Sequence, residues 1–411
     1  MDDIWAQLDL EEVGIPFGDD HKGCKIVLTY RNKHVLSNEM GTQKDIPVLH
    51  LPEKEAFVLF KKIVGDSINK QDLQPIVINM AKECAGLPIA LVTVAKALKN
   101  KSVSIWKDTL QQLKRSMPTN IRGMDAMVHS SLELSYRHLH GDELKSLFLL
   151  CGLMDNDIFI DDLLKYVMAL RLFQGTNTLE ETRNKVETLV DNLKASNLLL
   201  ETSDNAFVRM HDVVRDVALA IASKDLVFSL REGVGLEEWP KLDELQSCNK
   251  ISLAYNDIRK LPEGLVCPEL EPFVLYHISD PILKISNTIF EGMKKLKVLD
   301  LTNMHFTSLP SSLRCFANLQ TLSLDWFILG DIAIIAELKK LESLSLIGSN
   351  IEQLPKEIEQ LIHLRLLDLS NCSKLQVIPP NIISSLSQLE YLRMENSFTG
   401  WEVEGYNDKK N

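Results

Sequence analysis

Four short stretches of the sequence carry residue types that could do chemistry. Asp2 and Asp3, in Met1-Asp2-Asp3-Ile4-Trp5, are paired carboxylates of the kind that hold magnesium at the carboxyl end of a strand. Such a strand would need residues ahead of it, and only Met1 precedes them. Arg31 follows the apolar run Ile26-Val27-Leu28, itself behind Gly23. That run reads as a buried parallel strand, and ligands of open α/β sheets bind at the carboxyl ends of strands. A guanidinium there can grip a terminal phosphate with two parallel hydrogen bonds. Gly86-Leu87-Pro88 reads as punctuation between two helices, although a rigid proline ring could also stack against a nucleobase. His211, in Val208-Arg209-Met210-His211-Asp212, stands at the start of a helix, where free backbone N–H groups attract phosphate. Its imidazole adds a donor whose charge changes near neutral pH.

The sequence lacks GxxxxGK[ST], the loop that cradles β- and γ-phosphates, and it also lacks GxSxG, HExxH and zinc-ligand spacing. No independent catalytic centre is expected, so the chain does not read as an enzyme.

The elements that must position these residues fall into two styles. From Leu296 the text reads LKVLDL, then LQTLSL at 319, LESLSL at 341, LRLLDL at 364 and LEYLRM at 389, in steps of 23, 22, 23 and 25 residues. Two looser copies precede them, around Ile251-Ser252-Leu253 and Phe273-Val274-Leu275. LxxLxL at this period is the leucine-rich repeat: each copy supplies one short strand, and stacking buries leucines that a single copy could not. Leu261-Pro262, Leu309-Pro310, Leu354-Pro355 and Ile378-Pro379 mark where the chain leaves the strand for the convex side, because proline has no N–H to give a ladder. Asn256 and Cys372 fall where such repeats place a buried ladder residue, so Cys372 is expected in the core.

The first half is non-repetitive. Ala56, Leu59, Phe60 and Ile63 share a helical face after Pro52, and helical patterns continue over 73–84 and 88–98. Thr178-Leu179-Glu180-Glu181 is a capping box opening another helix. Leu198-Leu199-Leu200 and Ala206-Phe207-Val208 flank the turn trio Ser203-Asp204-Asn205, and Asp212 is placed to cap a last amphipathic helix. Helices, a hairpin and a further helix are laid out as in a winged helix. The fold expected is multidomain α/β: a remnant of a P-loop NTPase sheet over 1–50, a helical bundle over 51–124, a winged-helix-like domain over 125–240 and a leucine-rich-repeat solenoid over 245–411.

In their order, and with the repeats behind them, these stretches resemble the plant NB-ARC leucine-rich-repeat (NLR) disease resistance proteins of the coiled-coil class. Asp2-Asp3-Ile4-Trp5 is similar to the tail of the family's kinase-2 motif, and residues 23–31 to its arginine-bearing strand. Leu51–Phe60 resembles the helical motif, Gly86-Leu87-Pro88-Ile89 the GLPL motif and Met210-His211-Asp212 the MHD motif. The resemblance implies an ADP/ATP switch with magnesium in defence against pathogens. It would assign Asp2 to magnesium, Asp3 to the hydrolytic water, Arg31 to the γ-phosphate, Pro88 to the adenine and His211 to the β-phosphate of ADP, with Gly86 also among the nucleotide-binding residues. The phosphate loop is expected ahead of Asp2, so this chain is expected to bind nucleotide weakly and to hydrolyse none. The chain thereby reads as cut within its nucleotide-binding domain. An alternative is a truncated repeat protein or decoy that only binds partners.

Partners are expected at the concave face of the repeats: a pathogen effector or a guarded host protein, with intramolecular contacts to the NB-ARC part. The residues expected to face outward there are Lys297, Asp300, Asp325, Trp326, Arg365 and Asp368, with Trp326 as an exposed anchor. Composition narrows the remainder. A net charge of −12 opposes non-specific binding to nucleic acid or membrane surfaces, and residues 125–240 hold 20 acids against 11 bases, the reverse of a DNA-binding footprint. Seven cysteines without CxxC pairs suit a reducing compartment, and no run of about 20 apolar residues spans a bilayer, so a cytoplasmic protein is expected.

Overall fold

The computed structural model describes residues 8–11, 13–15, 23, 25–29, 42–44, 46, 48–65, 73–84, 86–115, 126–155, 157–222, 227–230, 245–256, 264–277, 286–304, 309–328 and 330–398. They form two compact units, 1–131 and 132–411. Asp2, Asp3 and Arg31 lie outside the described residues, as does Leu261-Pro262; of Asn256 only the backbone is described.

Among its described residues the first unit holds the helices α1 (Glu53–Val64), α2 (Gln74–Glu83), α3 (Pro88–Leu98) and α4 (Val103–Arg115). Pro52 precedes α1 with φ −55°, and Ala56, Phe60 and Val64 form its buried stripe at i, i+4 and i+8. Trp106 of α4 meets Phe60 edge to face with ring centroids 6.1 Å apart. Residues 25–29 correct the sequence expectation. They carry no regular secondary structure, and Val27 is 73% exposed. A buried strand needs neighbouring strands to receive its N–H and C=O groups, and Val27 stands exposed instead.

The second unit opens with the end of α5 (Ala126–Arg137) and continues as α6 (Asp142–Leu153), β1 (Asp157–Phe159), α7 (Ile160–Leu170), α8 (Leu179–Ala195), β2 (Leu200–Glu201), β3 (Phe207–Arg209) and α9 (Asp212–Ala222). β2 and β3 form the expected antiparallel hairpin, and β1 adds a third strand in the order β1-β3-β2. The Thr178 hydroxyl accepts the Glu181 N–H while Glu181 reaches back to the Thr178 N–H, so the capping box is formed. α9 starts at Asp212 itself. His211 is the residue that caps it: its Nδ1 accepts the Val213 N–H at 3.2 Å.

Strands β4 (Val227–Leu230), β5 (Lys250–Asn256), β6 (Pro272–His277), β7 (Val298–Asp300), β8 (Thr321–Ser323), β9 (Ser343–Ser345), β10 (Leu366–Asp368) and β11 (Tyr391–Arg393) form one eight-stranded sheet, each parallel to the next. β5–β11 are the seven repeat strands, and β4 extends the sheet by one strand that no LxxLxL pattern marks. Leu299, Leu322, Leu344 and Leu367 lie side by side in register and are fully buried. Each such leucine contributes about 1.5–3 kcal/mol relative to exposure. Pro310 and Pro355 directly precede short 3-10 helices, Ser311–Cys315 and Lys356–Gln360, which carry the chain along the convex side. Cys372 is fully buried, its thiol donating to the Leu346 carbonyl, and burial pushes that thiol up to about 11.

One position of the repeat has a special backbone. Asn303, Trp326, Gly348, Asn371 and Asn396 occupy the same place in successive copies, and all are left-handed, with φ between 51° and 66°. The N–H groups of the first four donate to carbonyls of the next repeat, Asp325, Ile347, Ser370 and Glu395, which requires this turn. Asparagine and glycine adopt it readily; tryptophan does so at a cost of about 1–2 kcal/mol.

Candidate functional site

The concave face of the repeats is covered by the chain's own helices. α7 buries Leu163, Leu164 and Val167 on one side, and at helical spacing on the other it presents Asp161, Asp162, Lys165 and Tyr166. These cross the strands diagonally. Asp161 pairs with Arg393 of β11, and Arg183 of α8 donates to the same carboxylate at 2.7 Å. The Lys165 ammonium lies 2.6 Å from Asp162 and 3.8 Å from Asp325, just past β8. Tyr166 donates to Oδ2 of Asp300 on β7, Tyr276 of β6 reaches the same oxygen at 3.3 Å, and the two hydroxyls are 3.2 Å apart.

Three further bonds extend the contact. Arg171 pairs with Glu342, and Arg365 donates to the Asn177 carbonyl at 3.0 Å. Glu390 accepts the Leu179 N–H at 2.6 Å, supplying a carboxylate to the amino-terminal end of α8, where the helix dipole favours it.

Burial sets the electrostatics. It pushes the Asp300 carboxyl up to about 7, with the charges of Asp162 and Asp325 adding to the effect. Asp325 is likewise pushed up to about 6, although Lys165 and the Ser345 hydroxyl, donating at 2.6 Å, oppose the shift. For Lys165 burial works against the ammonium, but Asp162, Asp325 and Asp300 outweigh it and hold the group above its ordinary value. Burial also raises both tyrosines well above theirs.

This arrangement corrects the expectation of an open face. Asp300, Asp325 and Asp368 are buried because α7 lies over their strands. Lys297 is half-buried and pairs with Glu271 at 2.8 Å; Arg365 is half-buried and bonded to Glu390 and Asn177. Of the six residues only Trp326 is open, at 54% exposure. It stands at a recess of about 720 Å³ beside α7, with Phe159, Phe207, Tyr276, Asp162 and Arg393 also in its walls. Sequence reasoning missed Asp161, Asp162, Lys165 and Tyr166, although three charges and a tyrosine at one-face spacing inside the apolar IDDLLKYVMAL are a legible signal.

The nucleotide motifs divide between the units. In the first, Gly86 is buried with φ 71°; its carbonyl accepts the Leu51 N–H at 2.8 Å, and a Cβ there would collide with the Leu51 carbonyl. Pro88 is exposed at the first position of α3. In the second, His211 is exposed at the start of α9, with Met210 buried beside it. Because Nδ1 accepts from Val213, the neutral ring carries its proton on Nε2, a donor suited to phosphate. No helix among the described residues is long and apolar enough to cross a membrane.

The fold and this contact define a leucine-rich-repeat protein whose concave face is held by a winged-helix-like lobe of the same chain. Residues 1–70 match the model of the NB-ARC domain. The chain is 34% identical over 418 residues to Disease resistance protein At4g27190 of Arabidopsis thaliana, covering 100% of this chain and 42% of that one. Disease resistance proteins UNI and RPS5 of the same plant are 32% and 31% identical, each over 96% of this chain and 45% of theirs. The chain is thus similar to plant disease resistance proteins and carries part of an NB-ARC domain over residues 1–70, and it spans under half the length of these relatives. Among solved structures it is similar to the leucine-rich-repeat protein LIC12759 of Leptospira interrogans, at 26% identity over 45% of this chain and 47% of that one, with a TM-score of 0.38.

Proposed function

We propose that this chain works in an intracellular plant immune receptor that switches between ADP- and ATP-bound forms in defence against pathogens. Its task is exchange and release of restraint, with no catalytic turnover of its own. The observation that supports this reading is the seating of α7 and α8 on strands β7–β11 by Tyr166–Asp300, Lys165–Asp325, Asp161–Arg393 and Leu179–Glu390. A contact this polar is built to be made and broken, because every group in it can return to water.

Asp2 with magnesium, Asp3, Arg31, Gly86, Pro88 and His211 remain the residues we assign to nucleotide, and His211 Nε2–H is the donor we assign to a phosphate oxygen. A protein partner, pathogen-derived or a guarded host protein, would compete for the concave face and enter beside Trp326. The four-part organisation over 1–50, 51–124, 125–240 and 245–411 and a cytoplasmic location belong to the same proposal.

Calorimetric titration of the chain with ADP tests the nucleotide part, with binding weaker than micromolar expected; micromolar binding would show that the motifs present suffice. Hydrogen exchange tests the restraint. Arg393→Glu should expose amides of α7 and β11 that are protected in the unaltered chain, and unchanged protection would sink the reading.

A further inference from the structure

The charges in the concave contact are balanced at its edge and unbalanced at its centre. At the edge, Asp161 and Asp368 face Arg183 and Arg393: Asp161 pairs with both arginines, and Arg393 lies 3.9 Å from Asp368. At the centre, three carboxylates face one ammonium. Asp162 and Lys165 come from α7, Asp300 from β7 and Asp325 from the turn after β8. Among the described residues the hydroxyls of Tyr166 of α7, Tyr276 of β6 and Thr302 also bond Asp300, Thr302 donating to Oδ1 at 2.7 Å. Asp155, Asp157, Glu395 and Arg393 also stand in the walls of the adjoining recess. A buried site with two carboxylates in excess of its cation is relieved most directly by binding a proton.

We propose that closure of α7 onto the repeats takes up a proton, held among Asp300, Tyr166 and Tyr276, so that acid tightens the contact and alkali loosens it. The inference rests on the reading of this contact as a restraint that opens. Hydrogen bonds give the proton its place. A protonated Asp300 Oδ2–H can donate to the Tyr166 hydroxyl, which in turn donates to Tyr276 across the 3.2 Å gap. When Asp300 ionises, both hydroxyls turn to it, but its charge then sits beside Asp162 and Asp325 with only Lys165 to answer three carboxylates.

The sign follows from the shift. Burial lifts Asp300 from an ordinary carboxyl to about 7 in the closed form. When the contact opens, water returns the group toward about 3.9. The closed form therefore binds more protons between about pH 4 and 7, and the closing equilibrium weakens by up to about tenfold per pH unit across that window. Above it the equilibrium levels off. Asp325, lifted to about 6, adds to the lower part of the same window, and the steps belong to the cluster as a whole.

Hydrogen exchange of the full chain from pH 5 to 8, corrected for the intrinsic rate, is the test. Protection of α7 and β7 amides should fall by about tenfold per unit up to about pH 7 and then stay level. Asp300→Asn mimics the protonated carboxyl, so at pH 8 it should keep protection the unaltered chain shows only in acid. Tyr166→Phe removes a donor to the ionised form and should move the fall to higher pH. Equal protection from pH 5 to 8, or an Asn variant with the unaltered slope, would overturn the proton linkage. If α7 were unprotected at every pH, the restraint itself would fail, and the two failures are thus told apart.

Discussion

The indole of Trp326 occupies the space that a Cβ on Gly348 would need, so the two residues, one repeat apart, fix each other. Gly348 also holds φ 66°, where any side chain is strained. Gly348→Ala should therefore cost about 1–3 kcal/mol and displace the indole. Trp326→Asn puts a residue suited to φ 56° in place of one that is not, and should change stability by less than about 1 kcal/mol. Thermal melts of both variants, with tryptophan fluorescence, check the pair; equal losses would mean that the indole is held by something else.

Among the described residues Lys165 is the cation at the centre of the concave contact, and it is 2% exposed. Lys165→Met should destabilise the second unit by about 3–5 kcal/mol at pH 8, since the buried Asp325 and the partly buried Asp162 are left without this counter-charge. At pH 5 the loss should shrink, because carboxyls whose folded values are raised are already protonated there. Urea titrations at the two pH values measure the difference.

Asp161 is shared by Arg183 and Arg393, and both guanidiniums lie over the Tyr391 ring, at 5.1 and 5.0 Å. A double-mutant cycle of Asp161→Ala and Arg393→Ala should return a coupling of about 0.5–3 kcal/mol, as for groups in one network. Additive losses would show that Arg393 is held by the ring and Asp368 rather than by Asp161.

Thiol reactivity should separate the cysteines. Burial pushes Cys84 and Cys151 up to about 12, and Cys267 and Cys372 up to about 11, while Cys315 is exposed. Native alkylation at neutral pH followed by mass mapping should find Cys315 modified and those four intact until denaturant is added. Early modification of Cys372 would contradict the packing of the repeats.

The repeat array was legible because its signal is periodic and local: a leucine every second residue in a strand, and the strand again after 22 to 25 residues. The capping box at Thr178–Glu181 and the helix starts at Pro52 and Pro88 were legible for the same reason, since each depends on neighbours within one turn. The strand expected at Ile26–Leu28 was misjudged because an apolar triplet becomes a strand only when other strands receive its backbone groups. Strand β4 went unseen for the converse reason: its place is given by its neighbour β5, which receives it edge to edge.

By itself the sequence determined the repeats, their inward leucines and the ordered motifs that carry the family resemblance, all properties of short windows. Only the tertiary structure decided what lies on the concave face. Tyr166 and Asp300 are 134 positions apart, and Asp161 and Arg393 are 232 apart. Pairs so distant leave no period to read. The outward residues of the strands looked solvated because their alternation is that of any half-exposed sheet. It took the helix that covers them to make Asp300 a buried acid and to leave Trp326 exposed at the edge of the recess.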